Sequence, residues 1–474
     1  MSSTLELGDI QGILARGYGN LKAAGFLLLA IDDAAAAKRW LTEVAELLTP
    51  ADRRPERLAV NLAFTAGGLT KLGLPPDAIT GFSFEFRNGM TSAHRSRVLG
   101  DAGASDPAGW VWGGPSGGEI DVLVLLYARD ARELEIGLAE VNGKRAGVSE
   151  VVTLPTVPLT DREHFGFHDG VSQPAIEGLG RAGSPSNTVR AGEFILGYPN
   201  EYGLYADGPT LDRSADPARM LPPSSSATDR ADLGKNGSYL VVRQLAQDVS
   251  GFWQFVEGAA TALENDGDDK AVIRLAAKMM GRWPSGAPLV EAPERDDPRL
   301  SDSNDFAYHR MDPHGLRCPK GSHVRRSHPR DSLDPDPGSE KSVAIGKRHR
   351  ILRRGRQYGT WVSPLAPAEA QRASENGATE DDERGLYFMC LNANLARQFE
   401  FVQHTWVNNS KFDGLYDDPD PVVATQSSSG RSFTVPAAPV RRRVTGVPTF
   451  VTVRGGAYFF LPGIRAVRYL ASLE

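Results

Sequence analysis

The sequence predicts an α+β protein built from two ferredoxin-like units with antiparallel sheets. Three observations carry that expectation. A strand–helix–strand pattern occurs twice in the first third of the chain. The same pattern returns after residue 236, spread out by long insertions. And 474 residues are too many for one ordinary core. The units are expected over residues 1–160 and 161–474.

In the first unit, "GFLLLAI" (25–31) is a continuous apolar run, as a strand buried on both faces requires. The segment 32–48 opens with capping acids and places Trp40, Leu41, Val44 and Leu48 on one helical face. "RLAVNLAFT" (57–65) reads as a second strand. After a Gly-rich stretch, "DVLVLLYA" (121–128), a helix over 131–143 and "VSEVVTLP" (148–155) complete the order of a ferredoxin-like sandwich. In the second unit the corresponding elements are a strand over 237–245, a helix over 248–263 and a strand over 385–393. A helix placing Leu395, Phe399, Val402 and Trp406 on one face follows, and a strand over 456–463 closes the unit. The polar stretches 200–236, 334–341 and 374–384 are expected to be loops.

Composition narrows the function. Hydrophobic content of 41% and charged content of 24% are those of an ordinary globular protein. A net charge of −6 argues against nucleic acid or an anionic membrane as the main partner. The two cysteines, Cys318 and Cys390, build neither a disulfide framework nor a cysteine-only metal site, and are expected to be buried. The N-terminal residues show no basic n-region and no apolar h-region, and the run 23–31 is too short to span a bilayer. A cytoplasmic protein with no membrane partner is therefore expected. No pattern reports the oligomeric state.

The chemistry is concentrated in few places. In "GFHDGVSQP" (166–174), Asp169 is either the polar residue of a tight turn or a carboxylate placed for a reaction. Nine histidines include the pairs His164/His168 and His323/His328, without a zinc signature. A non-haem metal hydrolase using His164, His168 and Asp169 is the weakest reading, because no further ligand has suitable spacing. A haem needs only one protein imidazole, since the tetrapyrrole supplies four donors. Its open face then needs a proton shuttle and a fixed positive charge to cleave peroxide, roles that Asp and Arg can fill.

"GFHDGVSQP", "CPKGSHVRRSHPRD" (318–331) and "RILRRGRQYG" (350–359) occur in that order. Together they resemble the three signature stretches of the dye-decolourising peroxidases. The resemblance extends through "GDIQGILARGYGNL" (8–21), "MMGRWPSGAPL" (279–289) and "GGAYFFLP" (455–462), nearly the whole chain. It implies one haem b per chain, held mainly by the C-terminal unit on a duplicated ferredoxin-like fold. It implies a peroxidase that reduces hydrogen peroxide and oxidises an organic donor, such as a dye or phenolic, in one-electron steps.

Carried over by position, Asp169 matches the distal aspartate, Arg353 the distal arginine and His323 the axial iron ligand. Gly170, Val171, Ser172, His328, Pro329 and Arg330 match residues running along the haem, with Arg330 a propionate partner. Leu386 and Phe388 match apolar positions above the distal face. Arg354 is the rival to Arg353. His328 stands where the family often has Asn, which would put a titratable group near the haem edge. A carboxylate supporting His323 is sought near Asn392 and Asn394, with Glu383 and Glu400 the nearest glutamates. A carboxylate shuttle implies an acidic activity optimum. The alternative is a haem-binding protein of the same fold, used for tetrapyrrole handling or a dedicated biosynthetic oxidation.

Overall fold

The computed structural model describes residues 4–473 apart from 181, 226, 228, 265–267, 362–382 and 426–429. Its first unit runs β1 (Ala23–Ile31), α1 (Ala34–Ala45), β2 (Leu58–Phe64), β3 (Val122–Ala128), α2 (Ala131–Gly143) and β4 (Val148–Pro155). The strands lie in the order β2-β3-β1-β4, all antiparallel. The second unit has β5 (Ser238–Gln247), the helices α3 (Val249–Glu264), α4 (Asp269–Met280) and α5 (His323–Ser327), then β6 (Leu352–Arg353), β7 (Arg356–Tyr358), β8 (Gly385–Asn392) and β9 (Val451–Leu461). Its order, β6 and β7 beside β8, then β5, then β9, repeats that of the first unit.

Local chemistry explains the boundaries. Asp33 caps α1 by accepting from Ala36 N, and Asp130 caps α2 by accepting from Glu133 N. The apolar strands are continuous because the sheet is covered on both sides. Val124 and Leu126 pack with Trp40, Leu41 and Val44 in one core, while Leu123 and Leu125 face a second core with Ile13 and Phe194. Cys318 and Cys390 are buried and unpaired.

The two sheets meet edge to edge through a single residue pair, Phe460 opposite Phe64. So narrow a seam needs a further tie, and Gln11 provides it. Its buried amide nitrogen donates to Leu62 O and Pro462 O, and its oxygen accepts from Leu62 N, at 2.8 to 2.9 Å.

Three features depart from the sequence reading. The second unit has an additional edge, β6 and β7, inside the arginine-rich stretch. Alternating arginines mask the strand period there. The expected helix around 395–406 is π-helical, with five-residue hydrogen bonds from Glu400 N to Leu395 O and from Asn408 N to Gln403 O. Its predicted apolar face is nevertheless buried. Finally, the 200–236 insertion carries a small ladder between Thr210–Asp212 and Arg230–Asp232, and the 334–341 stretch runs into the helix Glu340–Lys347. The expected loop at 374–384 lies, through residue 382, outside the described residues. Among the described residues no helix is long and apolar enough to cross a membrane.

Gln11→Leu would leave Leu62 N and O and Pro462 O without their buried partners. It should lower unfolding free energy by about 1–3 kcal/mol per orphaned group at most, measured by urea denaturation.

Candidate active site

A largely apolar cavity covers one face of the second sheet. Leu245 from β5, Leu386 and Phe388 from β8, and Val451 and Val453 from β9 form its floor. Met280 at the end of α4, His323 on α5, the loop 163–172 and the π-helical residues Phe399, Val402, Gln403 and Val407 complete the lining. Of the described residues before 160, only Asp101 and Ser105 contribute.

Asp169 is positioned by its loop. Glu163 accepts from Phe165 N, Phe167 N and Gln247 Nε2 at 2.8 to 3.0 Å, and Asp169 N donates to Asp161 O. Burial pushes the Glu163 carboxyl up to about 7 against those hydrogen bonds. Gly170 follows at φ +87°, a conformation that favours glycine. Asp169 Oδ1 accepts from Gly170 N at 2.6 Å and from Arg353 at 2.7 Å, while Oδ2 has no partner among the described residues. The carboxylate is 43% accessible, and the space it reaches is the cavity. Burial pushes this carboxyl up, but the Arg353 charge, the Gly170 N–H and the His323 charge outweigh it and hold it below the usual carboxylate range.

Arg353 belongs to the edge strand β6, and its backbone N–H donates to Gln173 Oε1, which ties the strand to the Asp169 loop. Its neighbour Arg354 points the other way, as alternate strand residues must, and donates to Ile13 O and Leu14 O. Of the two rivals, the structure brings Arg353 to Asp169.

His323 lines the same cavity. Its Nδ1 lies 2.9 Å from Asp420 Oδ2. A carboxylate only accepts, so Nδ1 carries a proton, and in the neutral ring Nε2 keeps its lone pair. Asp420 is fully buried, and its other oxygen accepts from Val422 N and Val423 N. Burial pushes the imidazole down, and the Asp420 charge more than offsets it, leaving His323 above its ordinary value. Asp420 is the carboxylate that sequence reasoning missed. Glu400 instead binds Arg95 and the Tyr458 hydroxyl, and Glu383 binds Arg454, Tyr358 and Gln244.

Gly170, Val171, Ser172, His328, Leu386 and Phe388 also line the cavity. Pro329 and Arg330 are not among the lining residues. Arg330 adopts φ +56°, and its guanidinium donates to Asn304 and Phe306 O while resting 3.7 Å from the Phe306 ring. Four arginines line the cavity: Arg353 pairs with Asp169 and Arg243 with Asp101, while Arg282 and Arg350, to which the sequence assigned no role, meet no carboxylate among the described residues. Arg350 donates to His328 Nε2 at 2.9 Å, to Asn187 and to Ser172 O, and Arg282 reaches Ser172 Oγ. His328 is not a group that titrates near neutrality: burial first, then Arg350, Arg330 and Arg282, hold it well below its ordinary value. His164 and His168 are engaged by Tyr358 O and Ser285 O, and no group of three or more His, Cys, Asp or Glu that could hold a metal ion occurs among the described residues.

No family model matches the chain. Its sequence is 31% identical to Peroxidase 2 of Mycetinis scorodonius, across 99% of this chain and 88% of that protein. It is 30% identical to the dye-decolorizing peroxidase of Exidia glandulosa, across 98% of this chain and 87% of that one. The chain belongs to the dye-decolorizing peroxidases. The fold agrees: it matches a solved dye-decolorizing peroxidase in complex with 2,6-dimethoxyphenol at a TM-score of 0.79 and 26% identity, covering 99% of this chain and 100% of that structure.

Dye-decolorizing peroxidases are haem proteins, and the residues of this cavity fit such a group. Arg282 and Arg350 are buried without a carboxylate partner among the described residues, a setting suited to an anionic cofactor. Burial pushes Arg282 down to about 10 and Arg350 to about 9, with neighbouring cations adding to the shift. His323 Nε2 has no hydrogen-bond partner among the described residues and could serve as an iron ligand.

Arg353→Leu removes the charge that counters burial at Asp169. The Asp169 carboxyl should then titrate at higher pH, read by infrared difference spectroscopy on isotope-labelled protein. An unchanged titration would show that another group holds it low.

Proposed function

We propose that this dye-decolorizing peroxidase binds one haem b per chain in the cavity, with His323 Nε2 as the axial ligand. When bound, the haem supplies the iron and stores the two oxidising equivalents of hydrogen peroxide, which organic donors such as dyes and phenolics then consume singly. Residues 161–474 are proposed as the unit that holds it, after an N-terminal unit over 1–160. The buried bond to Asp420 fixes the His323 ring and raises its basicity. Arg282 and Arg350 receive the anionic rim, with His328 as a neutral neighbour. Gly170, Val171 and Ser172 run along it, followed on the His328 side by Pro329 and Arg330. Leu386 and Phe388 exclude water from the reacting face.

The observation that carries this reading is the unequal environment of the two Asp169 oxygens. Oδ1 is fixed by Arg353 and Gly170 N, so Oδ2 is the atom that takes a proton from one peroxide oxygen and returns it to the other. Arg353 opposes the negative charge that develops on the peroxide, in a site where water does not screen it. Because the Asp169 carboxyl is depressed, its proton-accepting form persists as the pH falls below the ordinary carboxylate range. Activity should therefore persist into acid pH and fail as the pH drops through that lowered value.

Asp169→Asn should load haem normally yet lower kcat/KM for hydrogen peroxide by about 10²–10⁴-fold, in steady-state assays with a phenolic donor. Wild-type kcat/KM in this variant would sink the proton-shuttle assignment.

A further inference from the structure

A second cavity, of about 200 Å³, lies between α3, α4 and the hairpin of strands Arg431–Val435 and Arg442–Val447. Arg274 and Lys278, one helical turn apart on α4, both line it. Arg442 joins them from the hairpin, its guanidinium anchored by Leu263 O at 2.8 Å. Among the described residues Glu294 is the one carboxylate in the lining, where three cations meet it.

This differs from an ordinary solvated basic face. Neither the Arg274 nor the Lys278 side chain has a hydrogen-bond or ion-pair partner among the described residues, and Arg274 Nε is cut off from solvent without one. Two like charges at i and i+4 work against the helix that carries them. Burial holds the Lys278 amine below its ordinary value, although the Cys318 and Glu294 charges act in the opposite sense. The rest of the lining is mostly apolar, with Leu263 from α3, Leu275 from α4 and Val435 from the hairpin. A pocket with convergent cations and an apolar wall fits a ligand with an acid group and a hydrocarbon body.

We propose that this cavity binds a small organic carboxylate. The acid group sits between Arg274 and Lys278, with Arg442 at its edge, and the hydrocarbon body packs on Leu263, Leu275 and Val435. The site is separate from the peroxide cavity in side chains but adjoins it in backbone. Lys278 O accepts from Ser322 Oγ, in the residue before His323, and Met280 of the same helix lines the first cavity.

The test is a titration of the haem-loaded protein with 4-fluorobenzoate, followed by fluorine NMR at constant ionic strength. Saturable binding with a dissociation constant of about 1 mM or below is expected. The double variant Arg274→Gln, Lys278→Gln should weaken it at least tenfold while leaving the absorption spectrum and unfolding midpoint unchanged. Should that variant fail to fold, Leu316→Glu places a negative charge at a half-exposed position of the same lining and should weaken binding likewise. Unchanged affinity in a folded variant would overturn the proposal, as would a titration that never saturates. Displacement of the probe by inorganic phosphate as readily as by benzoate would also overturn it, because recognition would not involve the hydrocarbon body.

Discussion

Two guanidinium groups buried without a carboxylate partner among the described residues set the terms for the second unit. Among those residues, Arg282 and Arg350 meet neutral partners only: backbone carbonyls, Ser172, Asn187 and His328. An unpaired buried charge costs several kcal/mol, so such an arrangement persists where something anionic balances it. Burial, and after it that same positive field, keeps His328 neutral and depresses the Arg350 guanidinium. The cavity is thus biased toward an anionic, largely apolar ligand before any catalytic role is considered.

Against that background the two acids of the site behave differently because their partners differ. Asp169 meets Arg353 and stays ionised below the usual range, whereas Glu163, six residues earlier, meets only neutral donors and is pushed up to about 7. One carboxylate is kept ready to accept a proton; the other holds the loop that presents it. The edge strand β6 is what brings Arg353 to this loop across 184 residues of sequence.

The sequence made some of this legible and hid the rest for physical reasons. Continuous apolar runs such as 25–31 announced strands covered on both faces, and the order of elements announced the repeated unit. Asp169, Arg353 and His323 stood out because three stretches, in order, resemble the signature stretches of the family; alone, Asp169 reads equally as a turn residue. Asp420 did not, because its bond to His323 spans 97 residues and an Asp between prolines reads as a turn. Arg282 and Arg350 were hidden for another reason. Only burial separates an arginine that balances a cofactor from one on a solvated patch, and burial has no local signature. The strand β6–β7 escaped notice because its arginines serve opposite faces, so the usual apolar alternation is absent. The course of the Arg330 side chain has no local signature either: the residue is left-handed and its guanidinium binds Asn304 and Phe306 O.

The central claim is that this one cavity holds a haem through His323. Haem content and the absorption spectrum of the reconstituted protein, compared with His323→Ala, test it most directly. The account predicts one haem b per chain in the wild type, an altered Soret band in His323→Ala, and recovery of the wild-type band when imidazole is added. An identical spectrum in the variant without imidazole would contradict it, because some other side chain would then hold the iron.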